Sequence, residues 1–142
     1  MRFLGVHKIS LDEKNRIRIP SKFRAKLNDD YLLCGGTNNC LFVLNGDDYE
    51  NLFAESFLDS KLNDEKVQES MRELCTLVQE PEEDSQGRFV LQNDLKDYAN
   101  ISKKVVFIGL VNRIEIWPEE VYDAKWGKIK PSVDKAVKIL DA

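Results

Sequence analysis

The sequence predicts an α+β, mainly β protein made of two divergent copies of one small unit. Three observations lead there. Segments of like character recur at an offset of 72 residues. Short apolar runs alternate with polar residues as half-buried strands do, and the longer stripes of helical spacing lie between and after the repeated segments.

The repeat is plainest at Asp12-Glu13-Lys14-Asn15-Arg16-Ile17-Arg18-Ile19, which falls on Asp84-Ser85-Gln86-Gly87-Arg88-Phe89-Val90-Leu91. Both copies read Asp, three residues, Arg, then apolar residues at alternate positions. Phe23 and Leu27 match Leu95 and Ala99. With one residue of slippage, Leu41-Phe42-Val43-Leu44 falls on Ile114-Glu115-Ile116-Trp117. Each of these runs leads into an acidic helix start, Asp47-Asp48-Tyr49 in one copy and Glu119-Glu120-Val121 in the other. Matches in the same order mark a duplicated unit.

Within one unit, Leu4 and Val6, then Ile9 and Leu11, alternate as a strand with a small irregularity between them. Asp12 to Asn15 form a tight turn. Ile17 and Ile19 then face inward and Arg16 and Arg18 outward, because successive strand side chains point to opposite faces. Asn15 and its counterpart Gly87 are residue types that readily accept a left-handed backbone, so a positive φ at the fourth turn position explains both. Pro20-Ser21 opens a short helix with Phe23 and Leu27 on one face. Tyr31-Leu32-Leu33-Cys34 and Cys40-Leu41-Phe42-Val43-Leu44 read as strands separated by the Gly- and Asn-rich turn 35–39.

Three helical stripes complete the chain. Tyr49, Leu52, Phe53 and Phe57 form the first, capped by Asp47-Asp48. Val67, Met71 and Leu74 form the second, introduced by Asn63-Asp64, and Val133, Val137 and Leu140 the third, with Ser132 as its cap. All three are expected to face a core. The organisation is then a first unit at 1–60, a connecting helix at 61–76, a second unit at 77–126 and a helical tail at 127–142. Neither unit of ~50 residues can bury enough surface alone, so residues 3–58 and 77–126 are expected to share one interleaved barrel.

The net charge of −4 conceals a strong asymmetry. Residues 1–27 carry eight basic side chains (Arg2, Lys8, Lys14, Arg16, Arg18, Lys22, Arg24, Lys26) against two acids, whereas residues 28–100 carry five bases against seventeen acids. With a screening length of roughly 8 Å at physiological salt, a partner responds to the local patch more than to the total. The basic segment therefore keeps a polyanionic partner open.

Other function classes find little support. No apolar run approaches the ~20 residues of a membrane span, and Met1-Arg2-Phe3-Leu4-Gly5 turns charged too early for a signal peptide, so a cytoplasmic protein is expected. The cysteines Cys34, Cys40 and Cys75 are odd in number and lack the paired spacing of a zinc site or a disulfide framework. Buried structural thiols are the expectation for Cys34 and Cys40. His7 is the single histidine and has no nucleophile placed beside it by a motif, and Cys34-Gly35-Gly36 lacks the lysine of a phosphate loop. An enzyme is not expected, nor a metal or cofactor.

Residues 1–27, with Phe3, Gly5, Leu11-Asp12-x-Lys14-x-Arg16, Ile19-Pro20 and Phe23-Arg24 in order, resemble the N-terminal half of the MraZ family of bacterial transcriptional regulators. The second half adds Asp84-x-x-Gly87-Arg88, Val105-Val106-Phe107-Ile108-Gly109 and Arg113-Ile114-Glu115-Ile116-Trp117, so the resemblance runs to about residue 126. MraZ proteins are similar to the AbrB and SpoVT group. The resemblance implies tandem units forming one swapped-hairpin, double-ψ-like β-barrel, with helices between and after them. It implies double-stranded DNA as partner, at short direct repeats upstream of the protein's own gene in the division and cell wall cluster. It also implies a ring-like homo-oligomer associated with the nucleoid, and no small-molecule substrate. A protein-binding antitoxin or scaffold on the same barrel is the alternative.

The family's usual turn is Asp-x-Lys-Gly-Arg. Here Asn15 replaces the glycine of the first half and Gln86 the lysine of the second, with Glu80, Glu82 and Glu83 just upstream. Loop 84–88 is thus expected to attract phosphate less than loop 12–16. A β-ribbon fits the major groove, which makes Arg16 and its counterpart Arg88 the candidates for reading guanine edges. Lys14 and Arg18, then Lys8 and Arg24, are candidates for phosphate contacts, which position a protein without reading sequence. Asp12 and Asp84 would cap the turns and aim the arginines, with Asn15 and Gly87 setting the turn backbone. The plainer account of Arg16 and Arg88 is a surface salt bridge to the aspartate four residues earlier.

Overall fold

The computed structural model describes residues 2–58, 64–127 and 130–141. In chain order run β1 (Phe3–Ser10), β2 (Arg16–Arg18), α1 (Ser21–Arg24), β3 (Leu32–Gly35), β4 (Leu41–Leu44), α2 (Gly46–Leu58), α3 (Glu65–Thr76), β5 (Val78–Gln79), β6 (Arg88–Val90), α4 (Asn93–Ala99), β7 (Lys104–Val111), β8 (Ile114–Pro118), α5 (Glu119–Trp126) and α6 (Lys130–Asp141). A 3₁₀ turn, Thr37–Asn39, joins β3 to β4. The fold class is the predicted one, α+β with a mainly antiparallel sheet.

Six strands form one sheet in the order β1-β7-β8-β4-β3-β5, and β2 and β6 form a separate two-stranded ribbon. Read through the repeat, that order is the same from both ends. β3 corresponds to β7, β4 to β8, and β5 to the middle of β1. The first strand of each unit therefore pairs with the other unit: β1 with β7, and β5 with β3. β4 and β8 join across the centre. Closure of the two sheets into a barrel is not part of the pairing among the described residues.

One core serves both units. Ile17, Ile19 and Phe23 from the first are buried together with Phe89, Leu91, Leu95 and Phe107 from the second. Phe3 meets Phe23 edge-on, and Tyr31 meets Phe89 across the repeat. Contacts of this kind give each aromatic ring both its area and its preferred geometry.

The structure corrects the sequence reading in three places. β1 is continuous, paired without a break from Phe3↔Val111 to Ser10↔Lys104. A single strand phase therefore holds from Phe3 to Leu11, both buried, and the opposite face leaves Leu4 and Val6 exposed. What replaces the expected irregularity is Gly5 at φ 106°, opposite Gly109, where a Cβ would stand 2.6 Å from the backbone of Phe3 and Leu4.

The helix starts differ as well. α2 begins at Gly46, which puts Asp47 and Asp48 inside its first turn, where they complement the helix dipole rather than cap it. Asp64 does cap α3, accepting from the N–H groups of Lys66 and Val67; Asn63 lies outside the described residues. α6 begins at Lys130, so Ser132 sits within the helix.

Finally, the stripes reach a core only in part: Tyr49 packs half-buried against the cluster of Leu32, Cys34 and Leu44. Leu52 and Leu74 are exposed and so are Val133, Val137 and Leu140, while Val67 and Met71 are only half-buried. The side chains of Phe53 and Phe57 lie outside the described residues. Helical spacing specifies an apolar face but not what covers it.

Among the described residues no helix is long and apolar enough to cross a membrane. Cys34 and Cys40 are buried, and burial pushes both thiols up to about 12. Cys75 is exposed. The half-buried His7 packs its ring edge-on against Phe23.

Candidate nucleic-acid interface

The two Asp–Arg turns are built alike, bond for bond. In the first, one carboxylate oxygen of Asp12 accepts from the backbone N–H of Lys14 and of Arg16, both at 2.9 Å. The other accepts from Arg16 Nε at 2.6 Å. In the second, Asp84 accepts from the N–H of Gln86 at 2.8 Å, the N–H of Arg88 at 2.9 Å and Arg88 Nε at 3.0 Å. Backbone bonds close each loop, from the N–H of Asp12 to Arg16 O and of Asp84 to Arg88 O. Asn15 has φ 58° and Gly87 φ 78°.

These bonds hold both carboxylates ionised. The N–H of Arg16, then its guanidinium and the N–H of Lys14, keep Asp12 below its ordinary value of 3.8. For Asp84 the order is the N–H of Arg88, the N–H of Gln86 and the Arg88 guanidinium. Each aspartate thus grips its arginine by Nε. Among the described residues no hydrogen bond reaches Nη1 or Nη2 of either arginine.

The ribbon gathers these groups onto one surface. Ile17 and Phe89 face the core, leaving Arg16, Arg18, Arg88 and Val90 on the opposite face. Arg18 stands opposite Arg88, and Arg16 opposite Val90. Because the strands are antiparallel, the two turns lie at opposite ends of this basic face. Lys14 is exposed within the first turn.

Two of the six candidate bases are held elsewhere. Lys8, on β1, pairs with Glu119 at 3.3 Å and Asp123 at 3.4 Å. Arg24 binds Glu83 at 3.0 Å and Asp29 at 3.2 Å, and lies over the Tyr31 ring. Glu83 also accepts from the Tyr31 hydroxyl at 2.7 Å; burial, then this carboxylate, raises the Tyr31 pKa. Glu83 is therefore partly neutralised, which reduces its repulsion of an anion at the second turn.

The family model of the MraZ protein, which carries an antitoxin-like designation, matches residues 2–71 and 77–137. The chain belongs to the MraZ family. It is 33% identical over 138 residues to the transcriptional regulator MraZ of Caldanaerobacter subterraneus subsp. tengcongensis, covering 97% of this chain and 96% of that protein. Against the transcriptional regulator MraZ of Natranaerobius thermophilus it is 37% identical over 121 residues, covering 85% and 84% respectively. The corresponding protein of Clostridium tetani is 35% identical over 121 residues, with the same coverage. Each matched segment of the MraZ model contains one Asp–Arg turn and the strands around it.

Two residues of this MraZ interface escaped the sequence reading. Lys96 Nζ donates to Asn15 Oδ1 at 2.8 Å, placing a cation of the second unit beside the first turn. The repeat itself held the signal, since Lys96 falls on Arg24. Gln79, buried, donates through Nε2 to Val90 O at 2.7 Å and accepts from the N–H of Gln92 at 3.0 Å, securing the end of β6. Its counterpart is His7, so no likeness of residue type marked it.

Proposed function

We propose that this chain is a sequence-specific DNA-binding transcriptional regulator that reads base edges with Arg16 and Arg88. One observation carries the reading: each arginine is fixed through Nε by its own aspartate while, among the described residues, no hydrogen bond reaches its terminal nitrogens, on an outward-facing basic ribbon. Two parallel N–H donors at fixed spacing suit the O6 and N7 acceptors of guanine. The salt bridge and base reading thus use different atoms of the same side chain.

Lys14 and Arg18 contact phosphates beside the ribbon. Lys8 and Arg24 have a weaker claim, because carboxylates of this chain already hold them. A bidentate contact discriminates by only ~1–3 kcal/mol, so one ribbon cannot specify a genomic site. Several linked ribbons can, since effective concentration multiplies their contacts. A ring-like homo-oligomer presents them in one sense of rotation, and its site is then a set of short direct repeats. Those repeats lie upstream of its own gene, in the division and cell wall cluster.

The test is a titration of Arg16→Ala, Arg88→Ala and Lys14→Ala against that upstream DNA and a scrambled copy, at several salt concentrations. Arg16→Ala and Arg88→Ala flatten discrimination. Lys14→Ala weakens both DNAs alike and reduces the salt slope by ~0.9 per engaged subunit. Full affinity and full discrimination in Arg16→Ala would overturn the reading and turn attention to a protein partner.

A further inference from the structure

The tips of the two turns differ in chemistry although their frames are alike. Between Asp12 and Asn15 the first carries Glu13 and Lys14, both charged; between Asp84 and Gly87 the second carries Ser85 and Gln86, both neutral. All four side chains are exposed. Among the described residues, the side chain of Gln86 makes no hydrogen bond within the chain. Its backbone N–H is tied to Asp84 at 2.8 Å, which fixes the root of the side chain two residues from Arg88.

The difference changes what each tip recognises. An ammonium group is three donors and no acceptor, whereas a carboxamide sets an acceptor beside two donors. In the major groove adenine presents a donor, its N6 amino group, next to an acceptor, N7, whereas guanine presents two acceptors. A carboxamide matches the first pattern and a guanidinium the second.

Phosphate makes a weaker demand on Gln86. A neutral amide releases no counterion on meeting phosphate, and the same flank already holds a cation. Gln86 lines a cleft of about 700 Å³ together with Arg18, Ser21, Ser85 and Gly87. Arg24 and Glu83, which also line it, are bound to each other. Arg18 therefore suits the phosphate on that side and leaves the carboxamide to a base edge.

We propose that Gln86 is a specificity-determining residue, reading N6 and N7 of an adenine in the base pair next to the guanine read by Arg88. The inference rests on the ribbon reading proposed above. It makes the two ends of the ribbon unequal, with a lysine on phosphate beside Arg16 and a carboxamide on adenine beside Arg88. The DNA element under each ribbon then has no dyad of its own, and each subunit lies on it in one orientation.

The test is competition binding of the full chain to its own upstream DNA, with every base pair replaced in turn. In a second series each adenine in turn becomes 7-deazaadenine, which lacks only the N7 acceptor and needs no protein variant. The parent is expected to lose roughly 5- to 150-fold at one A·T pair beside an Arg88-dependent G·C pair, the range of a bidentate contact. The deaza base at that position costs it roughly 2- to 10-fold, one hydrogen bond's worth. Gln86→Ala is indifferent to the deaza base. Gln86→Lys loses the adenine preference and steepens the salt slope by ~0.9 per engaged subunit. A parent insensitive at every adenine, a deaza penalty that survives Gln86→Ala, or a Gln86→Ala loss equal for cognate and scrambled DNA would overturn the assignment. Arg88→Ala separates the two claims. If it flattens discrimination while Gln86→Ala does not, Gln86 alone is removed; if Arg16→Ala and Arg88→Ala both bind as the parent does, the ribbon reading falls with it.

Discussion

Arg18 in β2 stands directly opposite Arg88 in β6, and its Nε lies 3.6 Å from where a Cβ on Gly87 would be. The second turn therefore has a cation beside it that the first unit supplies, although its own lysine position holds Gln86. Like charges directly opposite on paired strands oppose each other, and cross-strand pairs carry ~0.2–1 kcal/mol. A polyanion laid across the ribbon relieves that opposition.

Arg18→Ala is accordingly expected to stabilise the free protein while weakening DNA binding. The gain in a denaturant unfolding curve is at most ~1 kcal/mol at low salt and fades as salt screens the pair. A variant that loses stability at low salt would show that the two arginines are not in electrostatic opposition.

The turn backbone gives a second prediction. Gly87 sits at φ 78°, where a β-branched side chain is strained by roughly 1–2 kcal/mol. Gly87→Val is expected to lower stability by about that amount and to displace Arg88 from its aspartate. Asn15→Gly, which restores the residue usual in the family, should fold as well as the parent but lose the acceptor for Lys96. Chemical denaturation of both variants checks the contrast.

A third prediction concerns acid. Asp12 and Asp84 have folded-state pKa values below 3.8. Their contribution to stability is thus complete above the ordinary carboxylate value and is lost as pH falls through the depressed one. The turns should stay intact from neutral pH down to the ordinary carboxylate range and loosen below it. Carboxyl carbon NMR should find these two aspartates still ionised when unpaired ones have protonated. Titration at or above 3.8 would mean that the hydrogen bonds around them do not persist in solution.

Lys96 supplies the fourth. Lys96→Ala is expected to weaken binding to cognate and scrambled DNA alike, with Lys96→Arg retaining most of the affinity. A salt slope lowered by ~0.9 per engaged subunit marks a phosphate contact. Unchanged affinity and slope would remove Lys96 from the interface.

Much of this was legible in the chain itself. Asp12, Arg16 and their partners at 84 and 88 are local: five residues enclose the whole hydrogen-bond set, so spacing alone implied the turn. The order of elements was legible for the same reason. Strand exchange between units, the opposition of Arg18 and Arg88, and the grip of Glu83 on Arg24 all depend on which strand lies beside which, and no local periodicity encodes that. The phase of β1 was misread because Leu4 and Val6 are apolar yet face outward, while glycine and histidine occupy Gly5 and His7 on the other phase. Surface strands tolerate that inversion, and binary patterning does not detect it.

The exchange of strands also orders events in time. Phe3 leaves the ribosome well before its partner Val111. At synthesis rates of ~5–20 residues per second, the interval is roughly 5 to 20 s. Throughout it β1 has a bare edge and the first half of the chain waits, half-made, for its complement. Neighbouring nascent chains on one messenger hold the same bare edge at the same moment, so the correct fold is won by the tether: β7 of the same polypeptide arrives at a local concentration that no other chain can match.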